Sequence, residues 1–189
     1  LVNELLNVSR VDFGNFSIDP IELDVVEISK SVIKELTPSI SKKKIRLTEE
    51  YDDKKMEYLA DPNILRIVIQ NLVSNAVKYT PEKGKVIVRL KRDEEKKLFI
   101  VEVSDTGYGI PKDQHNQIFS KMFRATNVQE MDVVGTGLGL YVMKSVVEET
   151  SGTVSFESAE NEGTTFTVKL PLAGMKKKGG QKSLSQVTP

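Results

Sequence analysis

The sequence predicts an α+β fold of two layers, in which a mixed, mostly antiparallel sheet packs on about three helices. Stretches with apolar residues three to four positions apart, which is helical spacing, are interspersed with stretches where β-branched and polar residues alternate. Charged or glycine-containing turns join neighbouring strand-like stretches into hairpins. A hydrophobic share of 39% in 189 residues is sufficient for one core.

Five stretches carry helical signals: residues 1–12, 19–40, 61–79, 115–123 and 138–150. Gly14 is expected to end the first helix. Asp19-Pro20 is expected to begin the second, and Pro38 to end or kink it. Asp61 is expected to cap the third and most clearly helical stretch, with Pro62 in its first turn.

Seven stretches are typical of strands: residues 16–18, 45–51, 56–60, 85–91, 98–104, 153–158 and 164–170. Three hairpins are expected among consecutive stretches: 45–51 with 56–60, 85–91 with 98–104, and 153–158 with 164–170. Residues 105–137 are expected to be glycine-rich and irregular. Residues 174–189 are rich in lysine and small polar residues, and a disordered tail is expected there.

Composition excludes several functions. The 27 basic and 27 acidic residues cancel, so there is no general attraction to nucleic acid. The absence of cysteine excludes disulfides, thiolate nucleophiles and cysteine zinc sites, and the single histidine, His115, excludes a histidine-pair metal site. No apolar run reaches the roughly 18 residues of a membrane span. Because the first residue is Leu1 rather than Met, the chain is expected to be a fragment that lacks an upstream segment.

Three groups of residues are candidates for chemistry. On the helix 61–79, Asn71, Asn75 and Lys78 form a narrow polar stripe that could hold hydrated Mg²⁺ and phosphates, or could be a solvated helix edge. Asp105 ends a strand, where its carboxylate could accept a hydrogen bond from the exocyclic amine of adenine. The alternative is a plain Asx turn. A glycine loop, residues 135–140, leads into a helix and suits phosphate, although it is not a P-loop.

The order of the motifs resembles the catalytic ATP-binding region of sensor histidine kinases, over residues 1 to about 172. This superfamily also contains gyrase, the heat-shock chaperone ATPase and mismatch-repair ATPases. Five segments carry the resemblance: 71–80 (N box), 105–111 (first glycine box), 118–124 (F box), 135–140 (second glycine box) and 162–166 (last turn). In the F box, Met122 stands where phenylalanine is frequent, so lid packing there departs from the family pattern.

The resemblance implies ATP and Mg²⁺ as ligands. A nucleotide-binding role is implied for Asn75, Lys78, Tyr79, Asp105, Gly107, Gly109, Ile110, Gly135, Thr136, Gly137, Leu138, Gly139 and Thr165. Asn71 and Asn75 would bind Mg²⁺, Asp105 would accept from the adenine amine, and Arg124 would meet the γ-phosphate. Asn71 and Arg124 are thus the implied catalytic residues. A mobile lid would span roughly residues 112–136.

The resemblance further implies three regions: residues 1–14 as the end of a dimerisation hairpin, 15–173 as the catalytic domain, and 174–189 as the tail. The phosphoacceptor histidine would lie on that hairpin, outside the chain. His115 lacks the acidic neighbour of such an acceptor and is interpreted as a surface residue. The expected partners are the upstream acceptor domain, a second copy in the full-length protein, and a response regulator. The fragment is expected in the cytoplasm without membrane contact, although family members are commonly anchored in the inner membrane.

The resulting prediction is a kinase domain that donates the γ-phosphoryl group of ATP to a histidine supplied elsewhere. Hydrolytic relatives place a glutamate base where this chain has Asn71, so weak hydrolysis is expected. The alternatives are a hydrolysing ATPase of the same superfamily and a non-catalytic interaction module. A nucleic-acid reader has only the lysine runs 42–44 and 176–178 in its favour, and short charge runs usually face solvent.

Overall fold

The computed structural model describes residues 2–129, 135–180 and 183–184. The helices are α1 (Val2–Asp12), α2 (Val25–Lys42), α3 (Pro62–Tyr79), the single turn α4 (Thr126–Gln129) and α5 (Gly139–Glu149). The strands are β1 (Ile21–Asp24), β2 (Arg46–Tyr51), β3 (Glu57–Ala60), β4 (Lys85–Asp93), β5 (Leu98–Asp105), β6 (Thr153–Ala159) and β7 (Gly163–Pro171).

A five-stranded mixed sheet carries helices on one of its faces, which confirms the predicted fold class. Its strand order is β2-β4-β5-β7-β6, and only β2 and β4 are parallel. The helices α2, α3 and α5 form the second layer, with α3 in contact with both of the others. A separate two-stranded sheet pairs β1 with β3.

The core lies between the sheet and the helices. Alternate residues of β4 and β5 are at most 1% exposed: Val86, Val88, Leu90, Phe99, Val101 and Val103. The apolar face of α3 packs against them, and Leu65, Val68, Ile69, Leu72 and Val73 are equally buried. This packing leaves the polar edge of α3 beside the end of β5, where the candidate site forms.

The predicted hairpin between residues 45–51 and 56–60 is wrong. Strand β2 pairs in parallel with β4, and β3 pairs with β1. The intervening turn instead continues the β2–β4 ladder, since the Asp52 N–H donates to the Leu90 carbonyl at 3.1 Å. Tyr58 of β3 stacks on Phe99 at a centroid distance of 4.7 Å. Long-range packing therefore overrides the short turn as the determinant of pairing.

The second helix begins later and ends later than the sequence predicts. Residues 21–24 form β1, and Asp24 caps α2 by accepting from the Val26 N–H at 3.0 Å. Pro38 lies inside α2, which continues to Lys42. A proline removes one helical hydrogen bond, and the buried Val32 and Leu36 keep this helix on the domain.

Two further expectations differ from the structure. The predicted helix 115–123 is replaced by turns, after a 3₁₀ turn at Lys112–Gln114. In the predicted tail, Met175 and Leu184 are each 3% exposed, and Lys178 pairs with Ile18 in an isolated bridge. The described part of the tail is thus packed rather than disordered, because its two apolar residues are buried against the domain. Within the described ranges, no helix is long and apolar enough to span a membrane.

Candidate nucleotide-binding site

An open cleft lies between α3, the end of β5, α4 and the start of α5, with about 590 Å³ of space between protein atoms, part of it open solvent. Six residues predicted from the sequence line this cleft: Asn75, Tyr79, Asp105, Gly109, Ile110 and Arg124. The others that line it are mostly apolar: Ile118, Phe123, Ala125, Val128, Leu140, Thr164 and Phe166. An apolar cleft with a few polar groups suits a flat, partly polar ligand.

Asp105 is an oriented carboxylate in this cleft. Its Oδ1 accepts from the backbone N–H of Gly107 at 2.8 Å and of Thr164 at 3.2 Å. Among the described residues, none donates to Oδ2, which is left available to a ligand. Burial raises the pKa of Asp105 to about 6, and the two backbone hydrogen bonds oppose this rise. The group is therefore a partly desolvated acceptor with one of its oxygens held in place.

The loop after Asp105 is held tightly on both sides. Tyr108 donates its N–H to the Tyr79 carbonyl at 3.1 Å, and its own carbonyl accepts from the Asn161 N–H at 2.7 Å. A Cβ at Gly107 would lie 2.5 Å from the Tyr79 carbonyl oxygen. Asn127 of α4 adds a hydrogen bond to the Gly109 carbonyl at 3.1 Å. The first glycine box thus joins the end of α3 to the turn between β6 and β7.

Gly109→Ala is expected to disrupt this loop. Gly109 has φ of +62°, and a Cβ there would lie 1.9 Å from the Ala159 carbonyl oxygen, which belongs to backbone. The combined strain and overlap should lower the free energy of unfolding by about 2–4 kcal/mol. Denaturant unfolding would measure this loss, and ADP titration of the folded fraction should show weakened binding.

Gly14→Ala is the matched control for this substitution. Gly14 has φ of +60°, yet a Cβ there would meet nothing within 4 Å. Only the backbone strain should remain, about 1 kcal/mol, with ADP affinity unchanged. Equal destabilisation by the two variants would contradict the proposed packing at Gly109.

The two asparagines of α3 face different surroundings. Asn75 lines the cleft, and within the described part of the chain its side chain makes no hydrogen bond. Asn71 donates from Nδ2 to the Ile67 carbonyl at 2.8 Å, and its Oδ1 lies 2.1 Å from where a Cβ of Gly139 would stand. Asn71 therefore packs against the start of α5 and is not among the residues that line the cleft. The described residues contain no group of three or more His, Cys, Asp or Glu side chains that could hold a metal.

Two cationic side chains converge beside the cleft. The Lys78 ammonium lies 5.0 Å from the centroid of the Tyr79 ring, and a Cβ at Gly135 would stand 2.0 Å from Lys78 Nζ. Burial, and then the nearby Arg124 guanidinium, lowers the pKa of Lys78. Arg124 also donates from Nη2 to the Val128 carbonyl at 3.3 Å. Two positive charges brought together in this way favour an anion between or beside them.

The second glycine box leads into α5 as predicted. Gly137 has φ of +70°, and a Cβ there would lie 2.7 Å from the Phe123 carbonyl oxygen, so the loop packs closely on the F box. Thr136 Oγ1 accepts from the Leu138 N–H at 3.3 Å, and Leu138 is 1% exposed. Helix α5 begins at Gly139. Residues 130–134 of the predicted lid lie outside the described residues.

The F-box segment packs mainly through its aromatic residues. Phe119 meets Phe156 edge-on at 5.9 Å, whereas Met122 is 67% exposed. His115 lies in the same cluster, 5.0 Å from the Phe156 ring, with Nε2 at 3.1 Å from the Ile110 carbonyl oxygen. His115 is thus a partly exposed residue with two contacts of its own rather than a fully exposed one. Its contact with the Ile110 carbonyl connects the lid region to the wall of the cleft.

Thr164, rather than the predicted Thr165, lines the cleft. Thr165 Oγ1 is instead within 2.9 Å of Ser104 Oγ, on the neighbouring strand. The side chains of adjacent residues point to opposite faces of a strand, so one residue decides which of the two reaches a ligand. The register of β7 against β5, which pairs Thr164 with Asp105, could not be derived from the local sequence.

The chain belongs to the family of histidine kinase-, DNA gyrase B- and HSP90-like ATPases, whose sequence model matches residues 60–174. The circadian input-output histidine kinase CikA of Synechococcus elongatus is 34% identical in an alignment of 178 residues that covers 90% of this chain and 23% of CikA. The sensor histidine kinase WalK of Bacillus subtilis is 30% identical over 171 residues, 90% of this chain and 28% of WalK. The chain thus spans about a quarter of the length of these relatives.

Solved structures agree with the fold. The nucleotide-free catalytic domain of the histidine kinase ThkA superposes with a TM-score of 0.70 at 28% identity, over 81% of this chain and 95% of that domain. Full-length ShkA in complex with AMPPNP gives a TM-score of 0.78 at 23% identity, over 94% of this chain and 36% of ShkA. The predicted family and fold are therefore confirmed.

Proposed function

We propose that the chain binds ATP with Mg²⁺ and donates the γ-phosphoryl group to a histidine outside it. The observation that carries this proposal is the placement of Asp105 in the same cleft as Arg124, with Lys78 near Arg124. Among the described residues, none donates a hydrogen bond to Asp105 Oδ2. Adenine offers an amine donor to such an oxygen, whereas the carbonyl of guanine would be repelled. The two cations suit the polyphosphate. The relatives' names, which describe sensor histidine kinases, support the same reaction class.

Amide oxygens are the groups of this chain that would hold Mg²⁺. Mg²⁺ prefers oxygen ligands and keeps several waters, so few protein ligands are needed. Asn75 fits this role, because its side chain lines the cleft and makes no hydrogen bond among the described residues. Asn71 would be a second Mg²⁺ ligand, and its side chain lies beside Gly139 at the start of α5. When bound, the ion would neutralise phosphate charge.

Transfer to an acceptor is favoured over hydrolysis by the chemistry of α3. Asn71 stands where a hydrolysing relative needs a glutamate base, and an amide cannot take a proton from water.

The α1 segment would connect the domain to an upstream acceptor domain. Asp12 accepts from Lys121 at 2.6 Å and from the Tyr141 hydroxyl at 2.5 Å, which ties the end of α1 to the F box and to α5.

The wider setting follows from the same proposal. The full-length protein would pair two copies through the hairpin that ends in residues 1–14, and a response regulator would receive the phosphoryl group. The chain itself would work in the cytoplasm. The exposed apolar side chains of α1 support the first part, since Val2, Leu5 and Leu6 are 70%, 45% and 45% exposed.

Incubation with γ-labelled ATP and Mg²⁺ tests the proposal. The chain alone should acquire no acid-labile phosphate and release phosphate slowly, because it has neither the acceptor nor a base. Addition of the purified two-helix acceptor domain of the full-length protein should give acid-labile, alkali-stable label on that domain. Label on the isolated chain would contradict the missing-acceptor part of the proposal. Rapid phosphate release without acceptor would favour a hydrolysing ATPase. The absence of a thermal shift with ATP–Mg²⁺ would favour a non-catalytic module.

A further inference from the structure

The ammonium group of Lys43 lies at the C-terminal end of α3. Its Nζ donates to the carbonyl oxygens of Val77 at 3.0 Å, Lys78 at 2.6 Å and Thr80 at 2.9 Å. Lys43 belongs to a different element, since it follows the last residue of α2. The sequence assigned residues 42–44 to a solvent-facing charge run. Lys43 is instead partly buried, whereas Lys42 and Lys44 are exposed.

Lys43 completes the hydrogen bonding of this helix end. The last carbonyls of a helix have no partner within the helix and need one elsewhere. The Ala76 carbonyl accepts from the Thr80 N–H at 3.1 Å and the Tyr79 carbonyl from the Tyr108 N–H at 3.1 Å. Among the described residues, only Lys43 donates to the carbonyls of Val77 and Lys78, which lie between these two. A cation also interacts favourably with the negative end of the helix dipole.

The turn that Lys43 holds carries three residues of the candidate site. Asn75, Lys78 and Tyr79 lie in the last two turns of α3, and the Lys78 carbonyl is the partner at the shortest distance from the Lys43 ammonium. The backbone of Lys43 is fixed as well, because its carbonyl accepts from the Lys83 N–H at 2.8 Å. Lys43 thus joins the end of α2, the end of α3 and the following loop at one point.

We propose that Lys43 is a positioning residue for nucleotide binding, which holds the last turn of α3 so that Lys78 and Tyr79 present their side chains to the nucleotide. This inference rests on the proposed nucleotide-binding roles of Lys78 and Tyr79. Burial lowers the pKa of Lys43, which agrees with an ammonium withdrawn from water. Water therefore does not readily replace its three hydrogen bonds, and their loss should free the turn.

Lys43→Met tests the proposal, because methionine keeps an unbranched side chain and removes the donor. Calorimetric titration of the folded variant with ATP–Mg²⁺ should show an affinity about tenfold lower, the effect of one charged hydrogen bond. Lys42→Met removes the same charge from the adjacent, exposed position and should change the affinity by less than about twofold. Lys43→Arg retains a cationic donor and should recover part of the affinity. Thermal unfolding verifies that each variant is folded. If Lys43→Met does not fold, Lys43→Gln, which keeps a neutral donor, is used in its place.

A double-mutant cycle separates positioning from general stability. If Lys43 acts through Lys78, then Lys43→Met should lower the ATP–Mg²⁺ affinity by markedly less than tenfold when Lys78→Met is already present. An undiminished tenfold loss in that background would overturn the proposal, as would wild-type affinity in Lys43→Met alone. A wild-type chain that does not bind ATP–Mg²⁺ would instead contradict the proposed function, so the two failures are distinguishable.

Discussion

Asp105→Asn is expected to weaken ATP–Mg²⁺ binding about 10-fold to 100-fold, the effect of losing a hydrogen bond to a charged acceptor. The backbone N–H groups of Gly107 and Thr164 both donate to Oδ1, so an asparagine would place its own oxygen there. Its Nδ2 would then replace Oδ2, which accepts from none of the described residues, and would face the adenine amine, donor against donor. The same Nδ2 could donate to the carbonyl of guanine. Isothermal titration should therefore show a smaller preference for ATP over GTP, as well as a lower ATP affinity.

The same substitution is expected to stabilise the free protein. The folded-state pKa of Asp105 is about 6, above its ordinary value of 3.8, so ionisation of this group at neutral pH opposes folding. The contribution of Asp105 to stability thus increases as the pH falls through about 6 toward 3.8. Replacement by a neutral amide should raise the free energy of unfolding by on the order of 1–2 kcal/mol at pH 7.5, a figure discounted for partial exposure. Below pH 4 the free energy of unfolding should change little. Urea unfolding at the two pH values measures the difference.

The pH also provides a test without mutation. Adenosine has no phosphate to titrate, so its affinity should fall as Asp105 is protonated, about tenfold one pH unit below its pKa. In Asp105→Asn this dependence should disappear. Asp113→Asn, an exposed carboxylate in the predicted lid, is the control that should leave the pH profile and the affinity unchanged. A destabilised Asp105→Asn protein with wild-type ATP affinity would contradict the assignment of Asp105.

Lys78→Met is expected to lower the affinity for ATP–Mg²⁺ by about 10-fold to 100-fold and to leave adenosine binding within about threefold. Burial and the Arg124 guanidinium both disfavour the charged ammonium here, and the Glu4 carboxylate offsets this only in part. Bound phosphate should relieve the remaining cost. Adenosine has no group that could relieve it. Competition titrations with ATP, ADP and adenosine measure the three affinities, and phosphotransfer should fall at least in parallel with ATP binding.

Lys112→Met is the matched control, because Lys112 is an exposed lysine at the start of the predicted lid. It removes the same charge and should change ATP affinity by less than about twofold. A loss of equal size for adenosine and ATP in Lys78→Met would show that Lys78 supports the cleft rather than the phosphates. In that case the phosphate-binding role would pass to Arg124 and the second glycine box.

Local patterns predicted the parts of the site that depend on one element each. The polar edge of α3 placed Asn75 at the cleft, and the strand end placed Asp105 there, whereas Tyr79 was implied only by the family resemblance. Each of the first two predictions needed only the period of a helix or the end of an alternating strand. Met122 shows the opposite case, because its large exposure follows from how the F-box turns lie on the domain.

Residues contributed from distant parts of the chain were not predictable in this way. Thr164 reaches Asp105 through the register of β7 against β5, and Lys43 reaches α3 only once α2 has packed on it. The Mg²⁺ role expected for Asn71 stays a prediction, and its contact with the start of α5 is decided by the approach of Gly139. The parallel pairing of β2 with β4 also joins segments far apart in the chain.

The sequence by itself determined the fold class, the family and the chemical character of the site, since the order of helix, strand and glycine motifs is written locally along the chain. It also determined that His115, which lacks the acidic neighbour of a phosphoacceptor, is the only histidine among these 189 residues. Only the tertiary structure decided which oxygen of Asp105 accepts the two backbone hydrogen bonds, which threonine lines the cleft, and that the Lys43 ammonium donates to the last carbonyls of α3. These outcomes depend on contacts between residues distant in sequence, and such contacts form only when the helices pack on the sheet.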